Sequence, residues 1–328
     1  MRAALQDRPQ NQFTLNRFLP DNPIDDLEYR FTRGGEGLID AATFRTYDAE
    51  SPIGSRPGFS RISGELPPLS RKIRLGEYDR LRQRQAPDAV RSAILTDGVR
   101  MSRALQARME LARGDALVNA SVTMAENGIQ AVIDFGRTGG HTVTAGVLWS
   151  TVATATPLAD LLSWQTTYNT TNGVNPGRIV MSTTAFGYLL RNADIRQLSG
   201  TTLGTPSVVT QTAISTVFEA YGLPPIEIYD AQVRVNNSAQ RIIAANKVLL
   251  LPAPGDGNDP ESSELGATLW GTTAESLEPE YGIGAEDAPG IVVGAYSTKD
   301  PVAVWTKAAA IGLPVLANPD LTFTATVA

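Results

Sequence analysis

The hydrophobic pattern changes character repeatedly along the chain. Residues 1–36 scatter Phe13, Leu15, Phe18, Leu19, Ile24, Leu27 and Tyr29 among Pro9, Pro20 and Pro23, with no sustained helical or strand period. Such a segment has no core of its own and must lie against something else. Residues 37–75 alternate apolar and polar in GLIDAATFRTYDA, pass through the Gly/Pro/Ser-rich turn SPIGSRPGFS, and return as RISGELPPLSRKIRL. This predicts a long hairpin. An exposed two-stranded ribbon is marginal alone and offers unpaired edges, so it suits a place on a neighbouring molecule.

Residues 87–119 predict a helix. Pro87 and Asp88 supply a start. Val90, Ile94, Met101, Leu105, Met109, Ala112 and Ala116 recur at spacings of 3, 4 or 7 as one apolar stripe. The length is about 48 Å at 1.5 Å per residue. A heptad coiled coil is the rival, but the stripe is short and Gly98 interrupts it. LVNASVTM and IQAVIDF then read as two strands around the turn AENG. From 150 to 285 helices PLADLLSWQTTYNT, TAFGYLLRN and 207–221 mix with strands RIVMS, IEIYD and KVLLLP, a compact α+β unit. The strand-rich end, with Leu321, Phe323, Ala325 and Val327 alternating, is expected to return to the long helix and its hairpin.

Composition narrows the function. The chain has 328 residues with a formal charge of −6, which argues against a dedicated nucleic-acid-binding domain. It has no Cys, which removes disulfides, thiolate nucleophiles and Cys-ligated zinc. No apolar run is long enough for a membrane span, and the polar N-terminus lacks a secretory pattern. A soluble protein made in the cytosol is expected. Charge is segregated. Residues 71–113 hold ten Arg and Lys72 against five acids, and residues 253–287 hold nine acids with no Lys or Arg. The bland reading is two solvated surfaces; the sharper one is complementarity between copies of the chain, fixing register more than affinity.

The chemistry of enzymes is mostly missing. There is no GxSxG elbow and no P-loop. The one His, His141, sits in the Gly-flanked turn RTGGHTVTA and is expected on the surface. GDGNDPE (255–261) lacks full calcium-ligand spacing. Asp25 with Asp26, and Glu278 with Glu280, lie in segments expected to be exposed. Trp149, Trp164, Trp270 and Trp305 are spread out and read as core or interface anchors. No catalytic, cofactor or metal site is expected. A chain with a polar arm and a projecting hairpin looks built to contact copies of itself, its protruding ends burying on adjoining copies.

FLPDNPIDDLEYRFTRGG (18–35), SPIGSRPGFSRISGELPPLSRKIRLGEYDRLR (51–82), RIVMSTTAFGYLLRN (178–192), KVLLLPAPG (247–255), LGATLWGTTAES (265–276) and STKDPVAVWTKAAAIGLPVLANPD (297–320) occur in an order that resembles the lambda-type major capsid protein E family of tailed bacteriophages. The resemblance implies the HK-97-like capsid fold: N-terminal arm (1–36), extended loop (37–82), spine helix and start of a peripheral domain (83–149), axial domain (150–285) and return strands of the peripheral domain (286–328). It also implies hexamers and pentamers of an icosahedral virion shell, packaged double-stranded DNA held without sequence preference, a portal at one vertex, and a possible cement protein. The chain starts almost at the arm, so any scaffold is expected to be separate. Crosslinking through Lys72 is not expected, since no matching motif accompanies it. Arg71, Lys72, Arg74, Arg80, Arg82 and Arg84 are the candidates for ion pairs with acids of adjacent subunits, among them Glu275, Glu278 and Glu280. Alternative readings are an encapsulin-type shell around cargo enzymes, a tail-tube or adaptor ring, and a hydrolase using His141.

Overall fold

A computed structural model describes residues 13–33, 44–47, 50, 60–82, 87–126, 128–200, 206–279, 289–300 and 302–328. Leu15, Phe18 and Leu19 of the first segment are buried in the main core of their own chain. Asp21–Pro23 (β1) then adds a parallel strand beside residues 268–270. The expectation that the protruding ends bury only on neighbouring copies is therefore overturned for residues 13–23. Burying three large apolar side chains stabilises by roughly 5–9 kcal/mol as an upper estimate, enough to hold a short segment in place.

Glu28–Arg33 (β2) pairs antiparallel with Ser60–Glu65 (β3), and Pro68–Leu75 (β4) follows. The ribbon's first limb thus lies at 28–33, inside the segment read as arm. Its expected second limb divides at Pro67. Residues 60–65 pair with β2, while β4 joins a different sheet. The physical reason is the paired prolines: neither can donate to a ladder, so the strand breaks there and changes partner. Most of the predicted first limb, 37–43 and 48–49, and the turn at 51–59 lie outside the described residues.

After Glu77–Arg82 (α1) comes Pro87–Asn119 (α2), 33 residues with no break at Gly98. Gly98 serves close approach instead, since a Cβ there would lie 3.2 Å from Val293 Cγ1. Met101, Leu105 and Met109 pack on Ala308, Ala310 and Trp270 of the sheet beneath. Ala120, at φ 51°, turns the chain out of the helix, and Ser121–Glu126 (β5) pairs with Ile129–Asp134 (β6) as predicted. The Arg137 guanidinium donates to the last carbonyls of α2, Leu117 O at 3.3 Å and Val118 O at 2.8 Å. A cation is favourable at that end of a helix. Burial lowers the Arg137 pKa to about 10, against the pull of Asp320 and Asp134.

Thr142–Thr144 (β7) leads to Pro157–Asn172 (α3), Arg178–Met181 (β8), Thr183–Arg191 (α4), Ala193–Leu198 (α5), Gln211–Ala220 (α6), Ile226–Ile228 (β9), the hairpin Gln232–Val235 (β10) and Ser238–Arg241 (β11), and Lys247–Leu251 (β12). Gly266–Gly271 (β13), Ala274–Leu277 (α7), Val292–Lys299 (β14), Val302–Leu316 (β15) and Phe323–Thr326 (β16) complete the chain.

Two five-stranded sheets result. In one, β15 is the axis: β13 and then β14 lie end to end along one side, β4 lies on the other, and β1 flanks β13. The second runs β7-β16-β12-β8-β9. Ile179, Val180, Met181 and Val248 to Leu251 are all buried, the continuous apolar run of strands covered on both faces. The C-terminal strands therefore part company. β15 packs under α2, whereas β16 pairs with β12 of the second sheet. Its register puts Phe323 and Ala325 into the main core.

Candidate functional site

The chemistry-bearing residues gather around β4, the ribbon and one buried polar junction. β4 is an edge strand: among the described residues it pairs with β15 alone. Arg71, Lys72 and Arg74 are exposed on it. By strand alternation Leu69 and Ile73 face the long helix and Lys72 and Arg74 the opposite side. There Lys72 Nζ lies 4.6 Å and Arg74 Cζ 5.9 Å from the centroid of the Trp305 ring. Among the described residues no carboxylate pairs with Arg71, Lys72, Arg74 or Arg82. Arg82 is exposed on α1. The backbone of Arg80 is on the same helix, and Arg84 and Glu280 lie outside the described residues.

The ribbon stands on Tyr29 and Leu66, both buried. Tyr29 is opposite Gly64 in the ladder, and a Cβ on Gly64 would lie 2.7 Å from Tyr29 Cζ. The glycine leaves room for the ring. Further out, Phe44 and Tyr47 are fully exposed.

The buried junction fastens the arm, α2, β13 and the segment after β9. Glu110 is 1% and Arg113 7% exposed. Glu110 Oε1 accepts from the Leu15 backbone N–H at 2.8 Å and from the Tyr229 hydroxyl at 2.9 Å. Arg113 donates to Glu110 Oε2 at 3.2 Å, to Thr268 Oγ1 at 2.8 Å and to Asp21. Asp21 also accepts from the Trp270 indole at 2.8 Å. Burial first, and then the Glu110 charge, push the Tyr229 hydroxyl far above its ordinary pKa, so it stays a donor. No single segment could satisfy Glu110 and Arg113 alone; the network closes only when all four pieces are docked.

An edge strand with unpaired cations, an exposed ribbon and an internally fastened body describe a subunit prepared for neighbours. The profile of the family described as "Phage major capsid protein E" matches residues 1–327. The chain belongs to this family. It is a phage major capsid protein with the HK-97-like fold. Solved structures similar to the capsid protein include the putative capsid protein of a prophage of E. coli CFT073, with TM-score 0.65, 14% identity and coverage of 100% of this chain and 97% of that one. A phage-related protein from Bordetella bronchiseptica RB50 gives TM-score 0.61, 12% identity and coverage of 99% and 94%. The capsid of cyanophage P-SCSP1u gives 0.52, 11%, 95% and 86%. No curated protein sequence matches.

One expectation about a side chain of the capsid protein needs correction. His141 is fully buried, not on the surface. Its ring packs between Tyr168 and Phe323, with centroids at 6.1 and 5.4 Å. Nδ1 lies 3.2 Å from the Thr322 carbonyl, which only accepts, so Nδ1 carries the proton. Nε2 lies 2.9 Å from the Thr171 hydroxyl oxygen. With both nitrogens engaged in structure, the hydrolase reading loses its base. The Gly-rich turn misled because the glycines are exposed while the next residue turns inward. Glu275, expected to reach another subunit, pairs with Lys307 of its own chain. Burial works to raise its pKa, but the hydrogen bond and charge of Lys307 hold the carboxyl below its ordinary value. Glu278 is exposed. Among the described residues no group of three or more His, Cys, Asp or Glu could hold a metal, and no helix is long and apolar enough to cross a membrane.

The sequence reading missed the Glu110–Arg113 junction. Its signal was present, since Glu110 and Arg113 are charged residues set among the apolar Met109, Leu111, Ala112 and Ala116 of the helix. It also missed the β10–β11 hairpin, whose turn residues Asn236 and Asn237 sit at φ 48° and 63°; Asn-Asn between VRV and SAQR was the available cue.

Proposed function

We propose that this capsid protein closes, as hexamers and pentamers of one chain, into an icosahedral phage head around double-stranded DNA. The virion shell is its place of action, and it is made in the host cytoplasm. Its further partners are a portal at one vertex, a separate scaffold and a cement protein on the outside. The observation that supports this most is the contrast within one molecule. A polar junction locks the body together, while Phe44 and Tyr47, between β2 and β3 in the chain, are fully exposed. In this reading the arm, extended loop, long helix, peripheral and axial units keep the order expected from the sequence, with the ribbon beginning at residue 28.

Arg71, Lys72, Arg74, Arg80, Arg82 and Arg84 are the cations offered to the next copy, and Glu278 and Glu280 are among the acids. The loop carrying Asp256, Asp259, Glu261 and Glu264 supplies a further exposed acidic surface. Such pairs set register and association rate more than affinity, and many modest contacts per copy add up by multivalency. The DNA contact follows the same logic. A net charge of −6 suits weak, sequence-independent contact with phosphates. The test reverses charge at Arg71→Glu with Arg74→Glu. The expected product is a folded subunit that forms no shells; normal shells from this variant overturn the proposal.

A further inference from the structure

We infer that residues 15–23 brace the two sheets of one subunit against each other, with the Arg17–Glu227 pair as the adjustable end of the brace, and that the angle so held sets how copies join. How copies join rests on the shell-building reading above; the brace itself is a property of the single chain.

No strand is common to the two sheets, so their mutual angle depends on what is packed and bonded between them. Residues 15–23 are bonded to both. On the β13 side, β1 lies in register with residues 268–270. There the Thr268 N–H donates to the Pro20 carbonyl at 2.7 Å, and the Thr268 hydroxyl donates to the Leu19 carbonyl at 2.9 Å. On the β9 side, the Arg17 guanidinium pairs with Glu227. Between these ends the segment joining β12 to β13 is tied in turn. The Gly255 N–H donates to the Arg17 carbonyl at 2.8 Å, the Asp21 N–H donates to the Gly257 carbonyl at 3.0 Å, and the Ser263 hydroxyl donates to the Phe18 carbonyl at 2.7 Å. The fit is close. A Cβ on Gly257 would lie 2.3 Å from the amide nitrogen of the buried Asn16, so glycine is what lets the two segments approach. Leu15, Phe18 and Leu19 enter a core that also takes Val180 of β8 and Leu313 of β15.

The two ends of the brace differ in kind. The β13 end is a backbone ladder. The β9 end is one ion pair whose side chains are 35% and 20% exposed, and partly solvated pairs hold weakly. Glu227 also has a second cation at hand. Its Oε2 lies 3.8 Å from Arg178 Nε on the adjacent strand β8, and that Nε is buried with no hydrogen-bond partner among the described residues. When the sheets rotate and Arg17 withdraws, Glu227 keeps a cation, and Arg178 gains the bond it lacks. Release therefore strands no carboxylate, which is what an adjustable contact requires. The pivot is the Glu110 junction, because Tyr229, one residue beyond β9, holds Glu110 while Glu227 changes partner. A chain that sits in both five-fold and six-fold rings needs two such arrangements of similar free energy.

The chain has no cysteine, so spin labels attach only where a cysteine is placed. Nitroxides at Ser297→Cys on β14 and Thr144→Cys on β7, both exposed, report the distance between the sheets by double electron–electron resonance on dissociated full-length subunits. Arg17→Gln removes the pair without touching Leu15, Phe18 or Leu19. It should broaden or shift the distance distribution with unchanged circular dichroism, while Arg17→Lys, which keeps a cation for Glu227, should restore much of the original width. Glu227→Gln should act in the same direction, and Arg17→Gln added to it should change little further, since the two residues work as one contact. Closed particles of Arg17→Gln should show more than one diameter where the unaltered chain shows one. A distribution in Arg17→Gln that matches the unaltered chain overturns the inference, even with a lower urea midpoint, because Arg17 is then a stabilising tie and nothing more. Uniform particles from a variant whose labels have moved overturn the link between the brace and joining. Failure of the unaltered protein to close overturns the shell-building reading, and the label distances still decide for or against the brace.

Discussion

Glu110→Ala is the substitution whose cost the structure specifies most fully. The carboxylate accepts from Leu15 N–H, the Tyr229 hydroxyl and the Arg113 guanidinium. Removing it strands the amide and the hydroxyl in a buried site, at roughly 1–3 kcal/mol each. It also removes one of two carboxylates from a buried Arg113, for which roughly 3 kcal/mol is a lower figure, since Asp21 and Thr268 stay in place. The sum is about 5–9 kcal/mol, comparable with the whole stability of many domains. Glu110→Gln keeps an oxygen for Leu15 and Tyr229 but loses the charge facing Arg113, and should cost about 1.5–3 kcal/mol. Urea unfolding of the dissociated subunit, followed by circular dichroism, gives both values. Hydrogen exchange at the Leu15 amide adds a local readout: slow in the unaltered protein, fast in Glu110→Ala. A loss below about 1.5 kcal/mol for the alanine variant, with the Leu15 amide still protected, would refute the claim that this junction holds the arm to the body.

Arg137→Met removes the cap on α2 and five hydrogen bonds, to Leu117, Val118, Thr142, Thr322 and Thr324. A loss of about 2–4 kcal/mol is expected from unfolding curves, with faster amide exchange near the helix end, and Arg137→Lys should not restore it. Gly114→Ala brings a Cβ against the Ile242 side chain and 2.9 Å from its carbonyl oxygen. It should destabilise by about 1–3 kcal/mol despite a better helix former, whereas Gly98→Ala meets only side-chain methyls, Val293 Cγ1 at 3.2 Å and Thr306 Cγ2 at 4.0 Å, and should be near neutral; equal melting shifts for the two would contradict the packing argument. Glu275 has a lowered pKa, so its pair with Lys307 adds stability that is fully present above the ordinary value of 4.5 and is lost as pH falls through the lower folded value. Lys307→Met should flatten that acid limb of a stability–pH curve, and an unchanged limb counts against the pair.

What could be read from the sequence follows from how local the signals are. The long helix was legible because Met101, Leu105 and Met109 keep one stripe over many turns. Residues 178–181 and 247–251 were legible as strands because each is a short apolar run. Register between distant segments was not. Pro67 and Pro68 end the ribbon locally, but nothing local tells β4 to take β15 as its new partner, or β16 to leave β15 for β12. The same limit hid the functional geometry. Arg71, Lys72 and Arg74 were visible as a basic run, but their division between two faces, with Trp305 on one of them, depends on a partner strand more than 200 residues away. His141 was misread because a turn that looks exposed can still direct one side chain into a core formed by Tyr168 and Phe323. The Glu275–Lys307 pair was not legible because Lys307 is brought near only by the pairing of β13 and β15.

Electron microscopy of the purified, unaltered protein under assembly conditions tests the central claim most directly. Closed shells of uniform diameter, resolvable into six-fold and five-fold rings of one chain, are the predicted result. Particles that stay as single subunits, or that stop at open rings or tubes under every condition tried, would contradict it.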